Sequence, residues 1–462
     1  MGKKKRRQDA LWIVASDLPK SAGHPFYQRL NVLLEANGFD RFTERVCERF
    51  YADGVGRPSL PPGRYFRLLL LGYFEGLHSE RGIAWRAADS LAIRSFLRLG
   101  LDESAPDHST ISRTRRLIDV EAHREVFTWV QAILARKGLL KGKTVGVDAT
   151  TLEANAAMRS IVRRDTGEKY EKFLMRLAKD SGLRTPTRAA LARLDRRRRH
   201  KTSNKDWTSP SDPDAKVTKM KDGCTHLAHK AEHAVDLESG ALIVVTIQGA
   251  DEGDTATISE TLAEAEAQLD ALIERAPEHA DLDAPAEVVA DKGYHSDATL
   301  LEIEGVGIRS YISEPDRGRR NWKDDDAQRA VYSNRRRTRG SRGQRLLKMR
   351  GERIERSFAH MYETGGMRRT HLRGHDNIRK RILVHAGAFN LGLLMRSMFG
   401  RGTPRGLQGL ISLLSPLTIA IRDACEAMAA LWIPSVSPSA WRYHLAVPPA
   451  GHGVKHPFTT GC

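Results

Sequence analysis

Asp148, Asp291 and Glu355 are the residues best placed, by type and spacing, to do chemistry. The first two close the short runs Thr144-Val145-Gly146-Val147-Asp148 and Glu287-Val288-Val289-Ala290-Asp291, each of which reads as a strand ending on an acid. If those strands neighbour one another in a sheet, their carboxylates stand about 5 Å apart, the strand spacing. Acids that close repel unless a cation lies between them, and Mg²⁺ favours carboxylate and water oxygens. Two such ions, about 3.5–4 Å apart, serve the attacking and leaving oxygens of an in-line phosphoryl displacement. Glu355 falls in a later helical pattern whose Ile354, Phe358 and Met361 face a core, at the edge of that apolar arc, where it can look into a cleft. Taken singly, each acid could equally end a strand or pair with Arg353 or Arg356. Only together do they specify a site.

The elements that must position these acids follow from pattern. Residues 25–140 read as helical, with Tyr65 to Phe74 forming an apolar helix entered through Pro61-Pro62. Asp107-His108-Ser109-Thr110 supplies helix-capping residues before the basic stretch Ile111 to Arg116, a pattern shared by helix-turn-helix domains and plain helical bundles. After Asp148 the chain reads as a hairpin (Ala228 to Leu237, turn Glu238-Ser239-Gly240, Ala241 to Gln248) and then a helix Thr255 to Arg275 capped by Asp254. The strand ending at Asp291, a turn at Lys292-Gly293-Tyr294, a helix Ser296 to Ile303, a strand Ile308 to Ile312 and the Glu355 helix complete the order βββαβαβα. Residues 157–223 interrupt it as a charged, largely helical insertion. The expected domains are 1–140 (helical), 141–400 (α/β) and 401–462 (a helix and an irregular tail).

Charge names the partner class. The 462 residues carry 75 Lys and Arg against 57 Asp and Glu, a net charge of +18. Residues 309–356 alone hold 16 basic and 7 acidic residues, half of that excess. Such basicity points to a polyanion, nucleic acid first. Tyr311, Trp322, Tyr332 and Asn334 interleave with the arginines, a mixture that can grip phosphates while rings stack on bases. A second cluster, Arg193 to Lys205, is as readily a solvated face. The composition is too apolar for a mostly disordered chain, since hydrophobic residues make up 40%. The longest uncharged apolar run, Gly406 to Ile421, falls short of the roughly 20 residues of a membrane span. Four cysteines without a CxxC pair and a basic start without a following apolar segment point to the cytosol.

On these residues the chain resembles the DDE transposases of bacterial insertion sequences. The similarity lies in Val145-Gly146-Val147-Asp148-Ala149-Thr150, in Ala290-Asp291-Lys292-Gly293-Tyr294 with its distinctive Asp-x-Gly-Tyr, and in Arg353-Ile354-Glu355-Arg356-Ser357-Phe358. It continues through Met367-Arg368-Arg369 and Arg373-Gly374 to Asn390-Leu391, and includes Tyr332 to Arg337; it spans about residues 50–400. The Tyr…Arg…Glu…Lys signature of one large branch is absent: Lys348 and Gly351 precede Glu355, and Tyr362 follows it. The resemblance implies a helical N-terminal domain before a ribonuclease-H-like mixed-sheet catalytic domain. It implies that Asp148, Asp291 and Glu355 bind two Mg²⁺ ions, replaceable by Mn²⁺. Water would first attack the phosphodiester at the element's end, and the freed 3′ hydroxyl would then attack target DNA. The implied partner is double-stranded DNA, with a homodimer or larger assembly bringing two ends together, in the bacterial cytoplasm and nucleoid. Charge then nominates Arg335, Arg336, Arg337, Arg353, Arg356 and Lys292 for phosphates near the metals, and Arg113, Arg115 and Arg116 for DNA at the helical domain.

Other patterns carry less. Gly138-Leu139-Leu140-Lys141-Gly142-Lys143-Thr144 has three residues between its glycines where a P-loop needs four, and it precedes a strand. Cys224, His226, His229 and His233 crowd together, but 229 and 233 alternate along a strand with Ala231 and Val235, which favours structural or surface roles over zinc. Two further readings remain open: a nuclease of the same fold that does not join strands, and a non-catalytic DNA-binding regulator.

Overall fold

The computed structural model describes residues 23–52, 59–183, 185–197, 203–275, 282–316, 318, 320–322 and 324–407. The N-terminal basic run, the centre of the second basic cluster (198–202) and the expected C-terminal helix and tail from 408 onward lie outside the described residues.

The first helices are α1 (Pro25–Ala36), α2 (Phe39–Cys47), α3 (Pro62–Glu75), α4 (Glu80–Asp89), α5 (Leu91–Phe96), α6 (His108–Leu117) and α7 (Val120–Arg136). α3 is buried on nearly every side, as its uninterrupted apolar sequence requires. It ends at Gly76, whose φ of +68° is costly for other residues and whose Cβ would stand 2.6 Å from the Thr364 carbonyl oxygen. α6 starts as expected, with the Asp107 carboxylate accepting the Thr110 N–H.

The rest comprises β1 (Thr144–Glu153), β2 (Val162–Arg163), α8 (Tyr170–Asp180), α9 (Arg188–Arg197), β3 (Trp207–Thr208), β4 (Lys216–Lys219), β5 (Thr225–Asp236) and β6 (Leu242–Gly249). It continues with α10 (Asp254–Arg275), β7 (Glu287–Ala290), α11 (Asp297–Gly305), β8 (Arg309–Ile312), α12 (Asp325–Arg339), α13 (Ser341–Phe358), a π-helical stretch (Ala359–Thr364) and α14 (His375–Phe399).

The sheet runs β6–β5–β1–β7–β8. β5 is antiparallel to β1 and β6, whereas β7 is parallel to β1 and β8. This is the ribonuclease-H-like arrangement, in the expected element order. β7 is buried throughout, as a central parallel strand between two layers must be. The layers separate by the parity of β5: Glu232 bonds to Thr257 and Thr261 of α10, and His233 to Ser357 of α13.

The insertion holds more strand than its sequence suggests. β4 pairs with the first residues of β5 and so joins the main sheet, while β2 and β3 pair with each other over a small core of Ala154, Ile161, Trp207, Ala215 and Leu227. α8 and α9 pack through Leu174, Ala178 and Leu191.

Both flanks of the sheet are closed by asparagine. At β6, the Asn390 amide of α14 accepts the Leu242 N–H (2.9 Å) and donates to the Leu242 carbonyl (2.9 Å), and Gln131 of α7 donates to the carbonyls of Leu242 and Ile243. At β8, Asn334 of α12 accepts the Ile312 N–H (2.9 Å) and donates to its carbonyl (2.8 Å). Each side chain thus satisfies one residue of an edge strand as a neighbouring strand would. α14 has the length and composition of a membrane-crossing helix, but 72% of its most apolar window is buried in this fold.

Candidate active site

Asp148 and Asp291 meet because their strands do. β1 and β7 pair in parallel as Thr144↔Glu287, Val145↔Val288 and Gly146↔Val289, and extending that register by two residues sets one acid beside the other. The Asp148 carboxylate takes the Ala149 N–H at 2.8 Å and the Arg350 guanidinium at 2.8 Å. Burial pushes its pKa up and Asp291 adds to that, while Arg350 and the Ala149 amide oppose it. Asp291 folds over its own turn and accepts the Gly293 N–H at 2.7 Å.

The turn after Asp291 is anchored from below. Tyr294, fully buried, donates its hydroxyl to Glu232 at 2.8 Å. That contact gives the tyrosine of Asp-x-Gly-Tyr a role: it ties the segment bearing Asp291 to the centre of β5. Burial and the Glu232 charge hold the Tyr294 hydroxyl in its neutral, donating form.

Glu355 lies on α13, which crosses the sheet on the Asp148 face. Ile354 is buried there, and a Cβ on Gly146 would stand 3.3 Å from its side chain. Arg353 lies along Gly240, at the end of the sheet where β1 begins. Glu355, two residues on, lies roughly 200° around the helix from Arg353. It is exposed, and no hydrogen bond or ion pair joins it to another side chain among the described residues. The structure therefore brings the two aspartates together and leaves Glu355 exposed on α13, the helix that carries Arg350, outside any cluster of three ligand atoms with them among the described residues. Ile354 and Met361 are fully buried and Phe358 half-buried, so the apolar arc assigned to this helix holds.

Residues 15–117 match the family model described as "Transposase domain (DUF772)", and residues 197–391 match "Transposase DDE domain". Together they account for the helical part and for the catalytic fold from the second half of the insertion onward. The chain belongs to the DDE transposases of the insertion-sequence type. The second match covers Asp291 and Glu355 but begins after β1, so Asp148 stands on the sheet register alone. Two solved structures, "Mos1 transposase paired-end complex with left transposon end" and "Crystal structure of the Mos1 mariner paired end complex with Mn", are each 11% identical over 74% of this chain and 93% of theirs. Their TM-score of 0.17 supports no structural argument.

The basic residues of this transposase divide sharply. Arg113, Arg116, Lys292 and Arg336 are exposed, and Arg353 is half-buried along Gly240. Arg115, expected to touch DNA, is instead buried and paired with Glu80 of α4, with Asn377 at 3.3 Å from its Nε; it holds α6 in place and offers nothing to a phosphate. Arg335 is likewise bound by both oxygens of Glu314 at 2.7 Å, and Arg337 by the Ser310 carbonyl (2.9 Å) and hydroxyl (3.0 Å). Arg356 pairs with Glu352 at 2.9 Å. The aromatics divide in the same way. Tyr311 is in the core and bonds to Glu287, and Asn334 closes β8, whereas Tyr332 is exposed with Arg335 over its ring and Arg320 lies over Trp322.

Arg350, Lys230 and Glu232 take part around the aspartates though the sequence did not single them out. Arg350 lies five residues before Glu355 in a basic stretch, where nothing marks it from its neighbours. Lys230 and Glu232 look like the polar positions of an alternating strand. His233, read as structural or surface, is buried between the Ser357 hydroxyl (2.8 Å) and the Tyr362 hydroxyl (2.5 Å), and burial lowers its pKa to about 3. Asp222, Cys224 and His226 gather at the β4–β5 turn, with His226 Nε2 2.8 Å from Asp222, while His229 bonds to Asp212 deeper in the fold.

Proposed function

We propose that this transposase cleaves DNA at the ends of its insertion sequence and joins the 3′ ends to target DNA by two-metal phosphoryl transfer. The observation that carries this reading is the pairing of Asp148 with Asp291 at the ends of adjacent parallel strands. The donor set fits a hard divalent cation: carboxylate oxygens, with Glu355 exposed and unpaired on α13. Asp148, Asp291 and Glu355 would hold two Mg²⁺ ions, for which Mn²⁺ can substitute. When bound, such ions supply Lewis acidity to the attacking and leaving oxygens of an in-line displacement.

The chain's own residues do the rest. Arg350 balances the charge of Asp148 before cation and DNA arrive. Lys292 and Arg336 offer positive charge to the phosphates on either side of the scissile bond, and Arg113 and Arg116 offer it from α6. Water attacks first and releases a 3′ hydroxyl; that hydroxyl then attacks the target phosphodiester, and a target oxygen leaves. Two ends must be held together for joining, which calls for a dimer or a larger assembly. The chain lacks the Tyr…Arg…Glu…Lys signature of one large branch, and its Asp-x-Gly-Tyr turn supports a branch that carries that turn.

The test uses a supercoiled plasmid carrying the DNA that flanks the gene, with Mg²⁺. The wild-type protein should yield cleaved and joined products; cleavage without any joining would reduce the assignment to a nuclease. Asp148→Asn should still shift the flanking DNA in a gel while cleavage falls by about a thousandfold or more, the scale of a lost metal ligand. Wild-type cleavage by that variant would mean the site is misplaced.

A further inference from the structure

Folding sorts the cysteine and histidines that crowd together around the start of β5. His229 and His233 share one parity of that strand and are both buried, engaged by Asp212 and by Ser357 and Tyr362. His226 has the other parity and lies near the surface, and Cys224, just before the strand, is exposed. Asp222, an acid outside the cysteine and histidine pattern, completes a set at alternate positions, 222, 224 and 226. Each of these three side chains brings a ligand atom within 4.8 Å of the other two.

The turn is shaped to hold them together. Gly223 takes a φ of +79°, costly for a residue with a side chain. Its N–H donates to the Met220 carbonyl, and the Met220 N–H to the Cys224 carbonyl, each at 3.0 Å. The Asp222 carboxylate accepts the Cys224 N–H on Oδ1 at 2.8 Å and meets His226 Nε2 with Oδ2, also at 2.8 Å. Donors around a tetrahedral zinc ion, at about 2.0–2.3 Å from it, stand roughly 3.3–3.8 Å apart. The three are already gathered to nearly that span, and rotation of surface side chains closes the rest.

The donor set differs in kind from that of the aspartates. Thiolate and imidazole suit Zn²⁺, whereas Mg²⁺ takes carboxylate and water oxygens. We propose that Asp222, Cys224 and His226 form a second metal site, one for Zn²⁺, with water as the fourth ligand. On binding, the thiol releases its proton to solvent and the imidazole carries its single proton on Nδ1, so that Nε2, which faces Asp222, donates its lone pair to the ion. The consequence is mechanical. β4 pairs with Thr225 to Ala228 of β5, and this turn links the two strands. An ion there pins the point at which the insertion rejoins the catalytic sheet.

The probe is Co²⁺, which takes the same ligands and reports a bound thiolate by charge-transfer absorption in the near ultraviolet. Equimolar Co²⁺ added to the reduced full chain should produce that absorption; equimolar Zn²⁺ should abolish it, and a large excess of Mg²⁺ should not. Cys224→Ser should lose it. Asp222→Asn and His226→Ala should each weaken Co²⁺ binding by about tenfold or more, since even a group that only supports a metal ligand costs that much. Thermal melts check that each variant is folded. The absorption should persist when Asp148→Asn and Asp291→Asn are combined, which separates this site from the aspartate pair. No absorption in the wild type, or absorption that survives Cys224→Ser, would overturn the proposal. Wild-type affinity in both Asp222→Asn and His226→Ala would overturn it too, by leaving the cysteine to bind alone, as would loss of the absorption in the double aspartate variant.

Discussion

On its α10 face β5 presents Lys230 and Glu232; one residue along, on its α13 face, it presents His233. Both positions are buried and fully engaged in hydrogen bonds, yet one system is ionic and the other neutral. The ionic side steadies the turn that carries Asp291. The neutral side fixes α13, with Arg350 and Glu355 on it, through Ser357 and Tyr362. A buried charge pair fails abruptly when one member is lost, whereas a neutral network loses a bond at a time. The part of the site that must keep two acids close is therefore built on the less forgiving system.

The sharpest way to break this contrast is Glu232→Leu. It leaves Lys230 to Asp254 as its one ionic partner and takes from three hydroxyls the carboxylate they donate to, and should cost about 3–5 kcal/mol in urea unfolding. Adding Lys230→Met should return much of that loss; a single variant as stable as the wild type would mean that system is not ionic.

Acid titration tests the other face. His233 has its folded pKa lowered to about 3 by burial, against an ordinary value of 6.5. As pH falls below 6.5 the unfolded chain takes up a proton that the folded chain refuses. The stability it contributes is thus whole above pH 6.5 and drains away as pH drops toward 3, by up to about 1.4 kcal/mol per pH unit. His123 in the helical part behaves alike, so the wild-type slope has more than one source. His233→Gln should flatten unfolding curves measured between pH 6.5 and 4 by one histidine's share. An unchanged slope would show that His233 is charged in the fold.

Single hydroxyls give the finest comparison. Thr261→Val removes a donor to a carboxylate and should cost about 2 kcal/mol, while Ser357→Ala removes a neutral bond to His233 and should cost about 1 kcal/mol. Equal losses would erase the distinction between the faces.

Much of this was legible in the chain before folding. The strand-ending acids, the hairpin, the basic capped helix and the element order all follow from local pattern, because β-branched runs and turn residues act over a few positions. What was hidden depends on what packs from elsewhere. Lys230 and Glu232 occupy the positions that look solvent-facing in an alternating strand, and only α10 laid over them makes them interior. Arg115 and Arg335 read as free cations until Glu80 and Glu314, distant in sequence, arrive beside them. The strand content of the insertion escaped notice because β2, β3 and β4 span two to four residues each, too few for a period to show.

The asparagines at the two flanks bear on how copies of the enzyme can meet. A sheet with a bare margin invites a second molecule to extend it, backbone to backbone, in register. Asn390 and Asn334 each spend their amide on one residue of the outermost strands, so neither Leu242 nor Ile312 has a donor or acceptor left for a visitor. Backbone pairing at those two residues is thereby closed, and replacing either asparagine with leucine would be expected to leave a stickier margin.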